Sequence, residues 1–353
     1  MKPTGQDPIP QCTVLLASGN PLQKETSFRR QLELLGRALA EGGTKVLLTG
    51  PDLKEATQAG GRICGAILLG YHDQFGFLHD HTEYPLFFWA QLSRRVDPNA
   101  FGNALVVPLT PATKRFLEES KIEGIGPVIP HGVDVTLYIP FAYGEKTAVR
   151  KMYGIGNGFV VGTVAANTRR KRLDLVIEAF ARFHDRAQDT ELLIKTDRRV
   201  GLDGTDLGAI AAAHGVRRQV KILEGSFDEL RMAGIYNCMD LYLTLSEWEG
   251  FCIPVIEAMA CGLPVATHRV QGPGELVPYG DLTVSGSSES FEDGTKLLTA
   301  DPRAAAEAML SAYGNKRLLQ RLGMDGRAAV IKGYDMRVVA DIWRGLLKAV
   351  SHT

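Results

Sequence analysis

A chain of 353 residues is longer than one hydrophobic core usually fills, since chains divide beyond about 250–300 residues, so two domains of similar size are expected. Its 40 basic residues cancel its 40 acidic ones, which leaves no overall field to draw nucleic acid or an anionic membrane; any anion must be bound locally. The 5 cysteines are scattered, with no close pair of the kind that zinc sites or thiol–disulfide centres use, and no apolar run approaches the ~20 residues of a membrane span.

A reducing cytoplasm is the location these features lead us to expect, with at most peripheral membrane contact. The opening MKPTGQDPIPQC has no apolar segment after its lysine, so no leader is expected there.

In chain order, VLLA (14–17) is a short apolar run broken by SGNP (18–21), after which Phe28, Leu32, Leu35 and Leu39 recur at helical spacing. EGG and the run KVLLTG then complete a strand–helix–strand unit. ICGAILLG (63–70) and ALVVPLT (104–110) read as further buried strands, the second followed by a helix in PATKRFLEES with Pro111 near its start. A last run, PVIP, leads into HGVD at His131.

Residues 138–158 change character, with Pro140, Gly144, Gly154, Gly156, Gly158 and little periodicity, and the domain junction is expected there. GIGNG within it has the wrong spacing for a dinucleotide fingerprint and precedes a strand, so it reads as a turn. Beyond it, strands FVVGTVAA, ELLIKT, VKILEG, DLYLTLS and PVAT alternate with helices, among them one from 173 to 184. Such alternation means a parallel sheet covered on both faces. From Pro302 onward the pattern is helical. The expected division is 1–145, a Rossmann-like domain; 146–335, a second one; and 336–353, a helix packing back toward the first.

Two segments carry chemistry. In EWEGFCIPVIEAMACGLPVAT, Pro254 suits the first position of a helix and Gly262 the left-handed residue past its end, so a two-turn helix is expected over 254–261. Glu249 then lies in the loop entering the helix and Glu257 in its first turn. A strand-to-helix loop offers free N–H groups and the positive end of the helix dipole to a phosphate, with Gly250 allowing close approach. A carboxylate one turn in can accept from the vicinal hydroxyls of a ribose, and Glu249 would reach the group beyond the phosphates. The plainer alternative is a Glu favoured in a first helical turn by ~0.3–1 kcal/mol, beside an exposed loop Glu.

In TRRKRLDLVIEAFARF, Leu173, Val176, Ile177, Phe180 and Phe183 form one apolar stripe, so Arg169, Arg170, Lys171 and Arg172 crowd the positive end of a helix. That opposes the macrodipole unless an anion sits among them, and a diphosphate would resolve the conflict. The alternatives are a solvated basic rim or a nucleic-acid contact. The cluster is short and lacks interleaved aromatics, which speaks against the second.

Together these segments resemble glycosyltransferase family 4, the retaining enzymes of the GT-B fold that use nucleotide sugars. The resemblance rests on Glu249 and Glu257 as E-x7-E, on SEWEGF and AMACGLPVA, on GTVAANTRRKRLDLVIEAF, on VIPHGVD and on QGPGELV. It implies two Rossmann-like domains with parallel sheets facing across a cleft, and C-terminal helices. It further implies that Glu257 binds the ribose and Glu249 the transferred sugar, while the backbone of Gly250, Phe251, Cys252 and Ile253 holds donor sugar and phosphate. Lys171, with Arg170 beside it, would neutralise the leaving diphosphate, with Arg169 and Asn167 also among the residues that bind the donor. Gly19 and Asn20 fall where the family has a loop over the donor, and His72 where a histidine stands near the transferred sugar.

Three departures stand out: Val164, Ala165 and Ala166 lack the arginine often found there, His131 replaces an asparagine, and Cys252 replaces a glycine. The reaction implied is retaining transfer of a hexose from a UDP-glucose or GDP-mannose type donor to a saccharide or lipid-linked acceptor. No D-x-D triplet occurs, so metal independence is expected, with no cofactor beyond the donor and no nucleic acid partner. The competing readings are a silent nucleotide-sugar-binding subunit and a glycoside hydrolase working through Glu249 and Glu257.

Overall fold

The computed structural model describes residues 12–20, 26–92, 95–197, 204–291 and 296–351. They fall into two compact units: one holds the residues up to Gly132 together with those from Gly333, and the other is Val133–Lys332. The division thus precedes the glycine-rich stretch where the sequence placed it.

In the first unit, strands β1 (Thr13–Ser18), β2 (Lys45–Thr49), β3 (Ile63–Leu69), β4 (Leu86–Ala90) and β5 (Leu105–Pro108) form a parallel sheet in the order β2-β1-β3-β4-β5. Residues of β1 and β4 are buried throughout, as expected of parallel strands covered on both faces. Helix α1 (Ser27–Glu41) is capped by Thr26, whose hydroxyl accepts from the Arg29 amide, and α2 (Pro111–Glu119) is capped by Thr110 with Pro111 at its start. β4, the run LFFWA, is a strand that the sequence reading passed over. PVIP forms no strand, although the Ile129 amide bonds to the Pro108 carbonyl at 2.9 Å.

Two of the cysteines that stand far apart in the sequence are nevertheless joined. Cys12, just ahead of β1, is disulfide-bonded to Cys64 on β3, with 5.6 Å between their Cα atoms. Sheet pairing brings together residues separated by 52 positions.

The second unit opens with α3 (Tyr143–Met152) and continues as β6 (Phe159–Val164), α4 (Leu173–His184), β7 (Thr190–Thr196), α5 (Leu207–Ala213), β8 (Val220–Glu224), α6 (Glu229–Asn237), β9 (Leu241–Thr244), α7 (Ile253–Ala260), β10 (Val265–His268), α8 (Pro273–Leu276) and β11 (Thr283–Val284). Its sheet runs β11-β10-β9-β6-β7-β8, all parallel. An antiparallel hairpin follows, β12 (Gly286–Ser290) with β13 (Lys296–Ala300). Helices α9 (Pro302–Tyr313) and α10 (Lys316–Gly333) come next, then α11 (Met336–Ser351).

Helix α3 stands where the sequence showed only a junction. Its one fully buried side chain is Arg150, which reaches Asp240 at 2.7 Å while Lys146 reaches the same carboxylate at 2.6 Å. Helix α11 belongs to the first unit. Trp343 packs edge-on against Trp89 at 5.4 Å, and Arg344 donates to the Ala38 carbonyl at 3.1 Å. Among the described residues no helix is long and apolar enough to cross a membrane.

Candidate active site

In the second sheet β6 and β9 are neighbours, yet the chain leaves β6 toward β7 on one side and leaves β9 toward β10 on the other. Such a reversal opens a crevice beyond the carboxyl ends of the two strands, the usual ligand position in an open parallel sheet. The loops that border it are the two segments singled out in the sequence.

After β6, Arg169–Lys171 form a single 3-10 turn, and Arg172 takes a left-handed conformation (φ 48°) before α4 starts at Leu173. The cations therefore stand on a turn just ahead of the helix, at its positive end. Their charge is also met within the chain. Arg170 Nη1 donates to Glu249 Oε2 at 2.9 Å, and Lys171 Nζ donates to Glu249 Oε1. Arg172 reaches Glu247 at 2.7 Å and Asp174 at 2.9 Å. The Arg170 guanidinium also lies 4.7 Å from the centre of the Trp248 ring and donates to the Trp248 carbonyl at 3.1 Å. The loops are stitched by a backbone bond from the Glu247 amide to the Arg170 carbonyl at 2.8 Å.

Glu249 is accordingly not an exposed loop residue; only 3% of it reaches solvent. Burial is the largest influence and would raise its carboxyl, but Lys171 and Arg170 overcome it and hold the group below the ordinary 4.5. It is a buried carboxylate kept charged by two cations.

Cys252, immediately before α7, sits at φ 79°, a conformation that favours glycine, which accounts for the glycine usual at this place. Burial pushes its thiol up to about 12, so it is uncharged. Gly250 and Phe251 are buried and Ile253 half-buried at the helix start. Gly272 (φ 83°) lies so close that a Cβ on it would meet the Phe251 carbonyl oxygen at 2.6 Å. The QGPGELV segment thus packs onto the E-G-F backbone.

Glu257, one turn into α7 and half-buried, accepts the Tyr236 hydroxyl at 2.6 Å, and its charge also acts on the neighbouring Tyr138 phenol. Asn167 is buried and holds Thr205 by both ends of its amide, at 2.8 and 3.2 Å, so it braces the loop after β6. Arg169 is exposed.

The remaining expected residues lie in the first unit, where the order β2-β1-β3 puts a switch point between β1 and β3. The Gly19 amide bonds to the Leu69 carbonyl at 3.0 Å, and a Cβ on Gly19 would collide with Gln74 Oε1. Asn20 is held by its amide to Ser18 Oγ at 3.3 Å. His72 opens a 3-10 turn with its ring edge-on to Phe101 at 5.7 Å. Pro21 of SGNP lies outside the described residues. His131 is wholly buried against Trp89, and burial lowers its pKa to about 3, so it is a neutral core residue. Among the described residues no cluster of His, Cys, Asp or Glu has the makings of a metal site.

Sequence reasoning missed Glu247, Trp248, Tyr138 and Tyr236. The first two lie inside SEWEGF, where an acid and an aromatic beside the motif were the available signal. The tyrosines carry no local signal, because their role depends on packing between α6, α7 and the 133–142 segment.

Residues 145–317 match the family described as Glycosyl transferases group 1. That match takes in just under half of the chain. A curated relative, the D-inositol 3-phosphate glycosyltransferase of Rhodococcus erythropolis, is 30% identical over 195 residues, covering 52% of this chain and 43% of that one. The chain spans about half the length of the curated relatives it matches. Among solved structures, a sucrose-phosphate synthase from Thermosynechococcus elongatus superposes with a TM-score of 0.76 at 18% identity, over 96% of this chain and 100% of that one. HepE from Anabaena, solved in complex with UDP-glucose, gives 0.73 at 16% identity, over 96% and 100%. At these identities the likeness is one of fold. The two parallel sheets flanked by helices are those of GT-B glycosyltransferases, and the group 1 segment contains the whole β6/β9 crevice.

Proposed function

We propose that this chain is a glycosyl transferase of group 1, and within it a retaining hexosyltransferase of family 4. It moves a hexose from a nucleoside-diphosphate sugar, of UDP-glucose or GDP-mannose type, to a hydroxyl of a saccharide or lipid-linked acceptor. The observation that carries the reading is the convergence of Arg170, Lys171 and Glu249 at the β6/β9 switch point, beside the start of α7. The name of the Rhodococcus relative and the UDP-glucose bound to the Anabaena neighbour support it.

Breaking a sugar–phosphate bond gathers negative charge on the diphosphate while the sugar approaches an oxocarbenium ion. Lys171 and Arg170 would stabilise the first, together with backbone amides of Gly250 to Ile253. Glu249, held ionised, has no proton to give and is suited to the transferred sugar. Glu257 would take the ribose hydroxyls. Gly19, Asn20 and His72 are proposed to serve the donor from the first unit. With cations supplied by the chain and no D-x-D triplet, the reaction is proposed to need no metal.

A hydrolase needs one carboxyl to act as an acid. Glu249 is held charged by two cations, and Glu257 is an acceptor for the Tyr236 phenol, so neither is arranged for that role.

Thermal denaturation against a panel of nucleoside diphosphates and their sugars tests the proposal. One nucleotide series is expected to raise the transition, by about 2.7 kcal/mol at a hundred times its Kd. Lys171→Ala should lower transfer by about a hundredfold while leaving donor affinity nearly intact, and Glu257→Ala should weaken nucleotide binding about tenfold. No shift with any nucleotide would refute the reading; binding without turnover on any acceptor, water included, would leave a silent subunit.

A further inference from the structure

Three tyrosines form a row beside Glu257. Tyr138 comes from the segment that opens the second unit, Tyr236 from α6 and Tyr242 from β9, with successive ring centres 6.1 Å apart. Tyr242 donates its hydroxyl to the Val164 carbonyl at 3.2 Å, so the row ends at the last residue of β6, on the rim of the crevice.

The other two phenols converge on one carboxylate. Tyr236 donates to Glu257 Oε2 at 2.6 Å, and Tyr138, its ring edge-on to that of Tyr236, lies close enough for the Glu257 charge to raise its phenol. Tyr236 is 0% and Tyr138 3% exposed. A core position of that kind suits phenylalanine unless the hydroxyl has a partner. Burial first, and then the charge of Glu257, pushes both phenols far above their ordinary range, so both remain hydrogen-bond donors at any working pH. Asn237, next to Tyr236, ties the Tyr138 segment to α6: its side chain accepts from the Phe141 amide at 2.8 Å and donates to the Ile139 carbonyl at 2.9 Å.

A glutamate side chain one turn into a helix has several rotamers, and two hydroxyls arriving from different elements select one of them. A carboxylate accepts about four hydrogen bonds, which is enough for two phenols and a vicinal diol together.

We infer that Tyr236 and Tyr138 are positioning residues that fix the Glu257 carboxylate so that it meets the 2′ and 3′ hydroxyls of a nucleotide ribose. This rests on the nucleotide-sugar reading above. It adds that selection of ribose over deoxyribose depends on two side chains that never touch the nucleotide.

The test is calorimetric titration of the full chain with UDP, GDP and ADP and with the corresponding 2′-deoxynucleotides. The wild type is expected to bind its preferred ribonucleotide about tenfold more tightly than the deoxy form, the loss expected for one hydrogen bond to a charged group. Tyr236→Phe and Tyr138→Phe keep the rings and remove the hydroxyls; each should reduce that ratio about threefold or more, and Glu257→Gln should bring it close to one. A purely structural role would lower the melting temperature and leave the ratio as it was. An unchanged ratio in either folded variant overturns the inference, and so does failure of both to fold, which would mark the phenols as supports of the core. If the wild type binds a nucleotide but ignores the 2′ hydroxyl, the inference falls while the proposed function stands. If no nucleotide binds, the proposed function itself falls.

Discussion

Glu249 shows how much one residue's environment decides. Two cations hold its carboxyl below 4.5 against the opposing effect of burial. The unfolded chain therefore takes up this proton before the folded one does, so the stability contributed by the ion pair is full above about pH 4.5 and disappears as pH falls through the lower native value. Glu249→Gln should flatten that part of the acid limb. At neutral pH it should cost about 3 kcal/mol, because Lys171, with only 12% of its side chain exposed, loses its counter-charge. Chemical denaturation at pH 7 and pH 4 measures both effects, and an acid limb as steep as the wild type's would contradict the assignment. The residues of this cluster were legible in the sequence as types at a spacing. What could not be read was their pairing, because Arg170 and Glu249 stand 79 positions apart and meet only when β6 and β9 become neighbours.

Elements were legible where apolar residues set them. α4 begins at Leu173 and ends at His184, as its dense apolar stripe requires, with Leu173, Val176, Ile177, Phe180 and Phe183 all buried. α3 was not legible, since YGEKTAVRKM has little apolar periodicity and docks through Arg150 and Lys146 on Asp240. Asp240→Asn is accordingly expected to destabilise the second unit by about 3 kcal/mol. The partly exposed Arg29–Glu33 pair on α1, cut by Glu33→Gln, should cost no more than about 0.5 kcal/mol. Urea melts of the two variants compare them, and equal losses would mean that α3 is held by something other than its ion pairs. β4 escaped because strand–helix alternation fails around it. β3 reaches β4 through turns that include only the short 3-10 segment His72–Gln74, and among the described residues no helix separates β4 from β5. The β12/β13 hairpin escaped because GSSES is exposed along its length; it is secured by the Leu298 amide on the Glu247 carbonyl at 3.0 Å.

At the scale of the molecule, two units with separate apolar cores, one built around Leu15, Leu68, Phe88 and Val106 and the other around Val161, Ile177, Phe180 and Leu243, should melt as separable transitions. The Cys12–Cys64 bond lies in the first, so reduction should lower only that transition; a closed loop of 52 residues corresponds to about 4 kcal/mol. A nucleotide bound at the β6/β9 crevice should raise only the other. Calorimetry with and without reductant separates these effects, and a common shift of both transitions would show that the units do not unfold independently. The sequence by itself determined the α/β class, the parallel strands and the residue types of the crevice, since apolar periodicity, caps and turn residues act over a few positions. Only the tertiary structure decided which carboxylate answers which cation, which phenols face Glu257 and which cysteines bond. Those outcomes depend on strand order, and strand order joins residues that no local pattern connects.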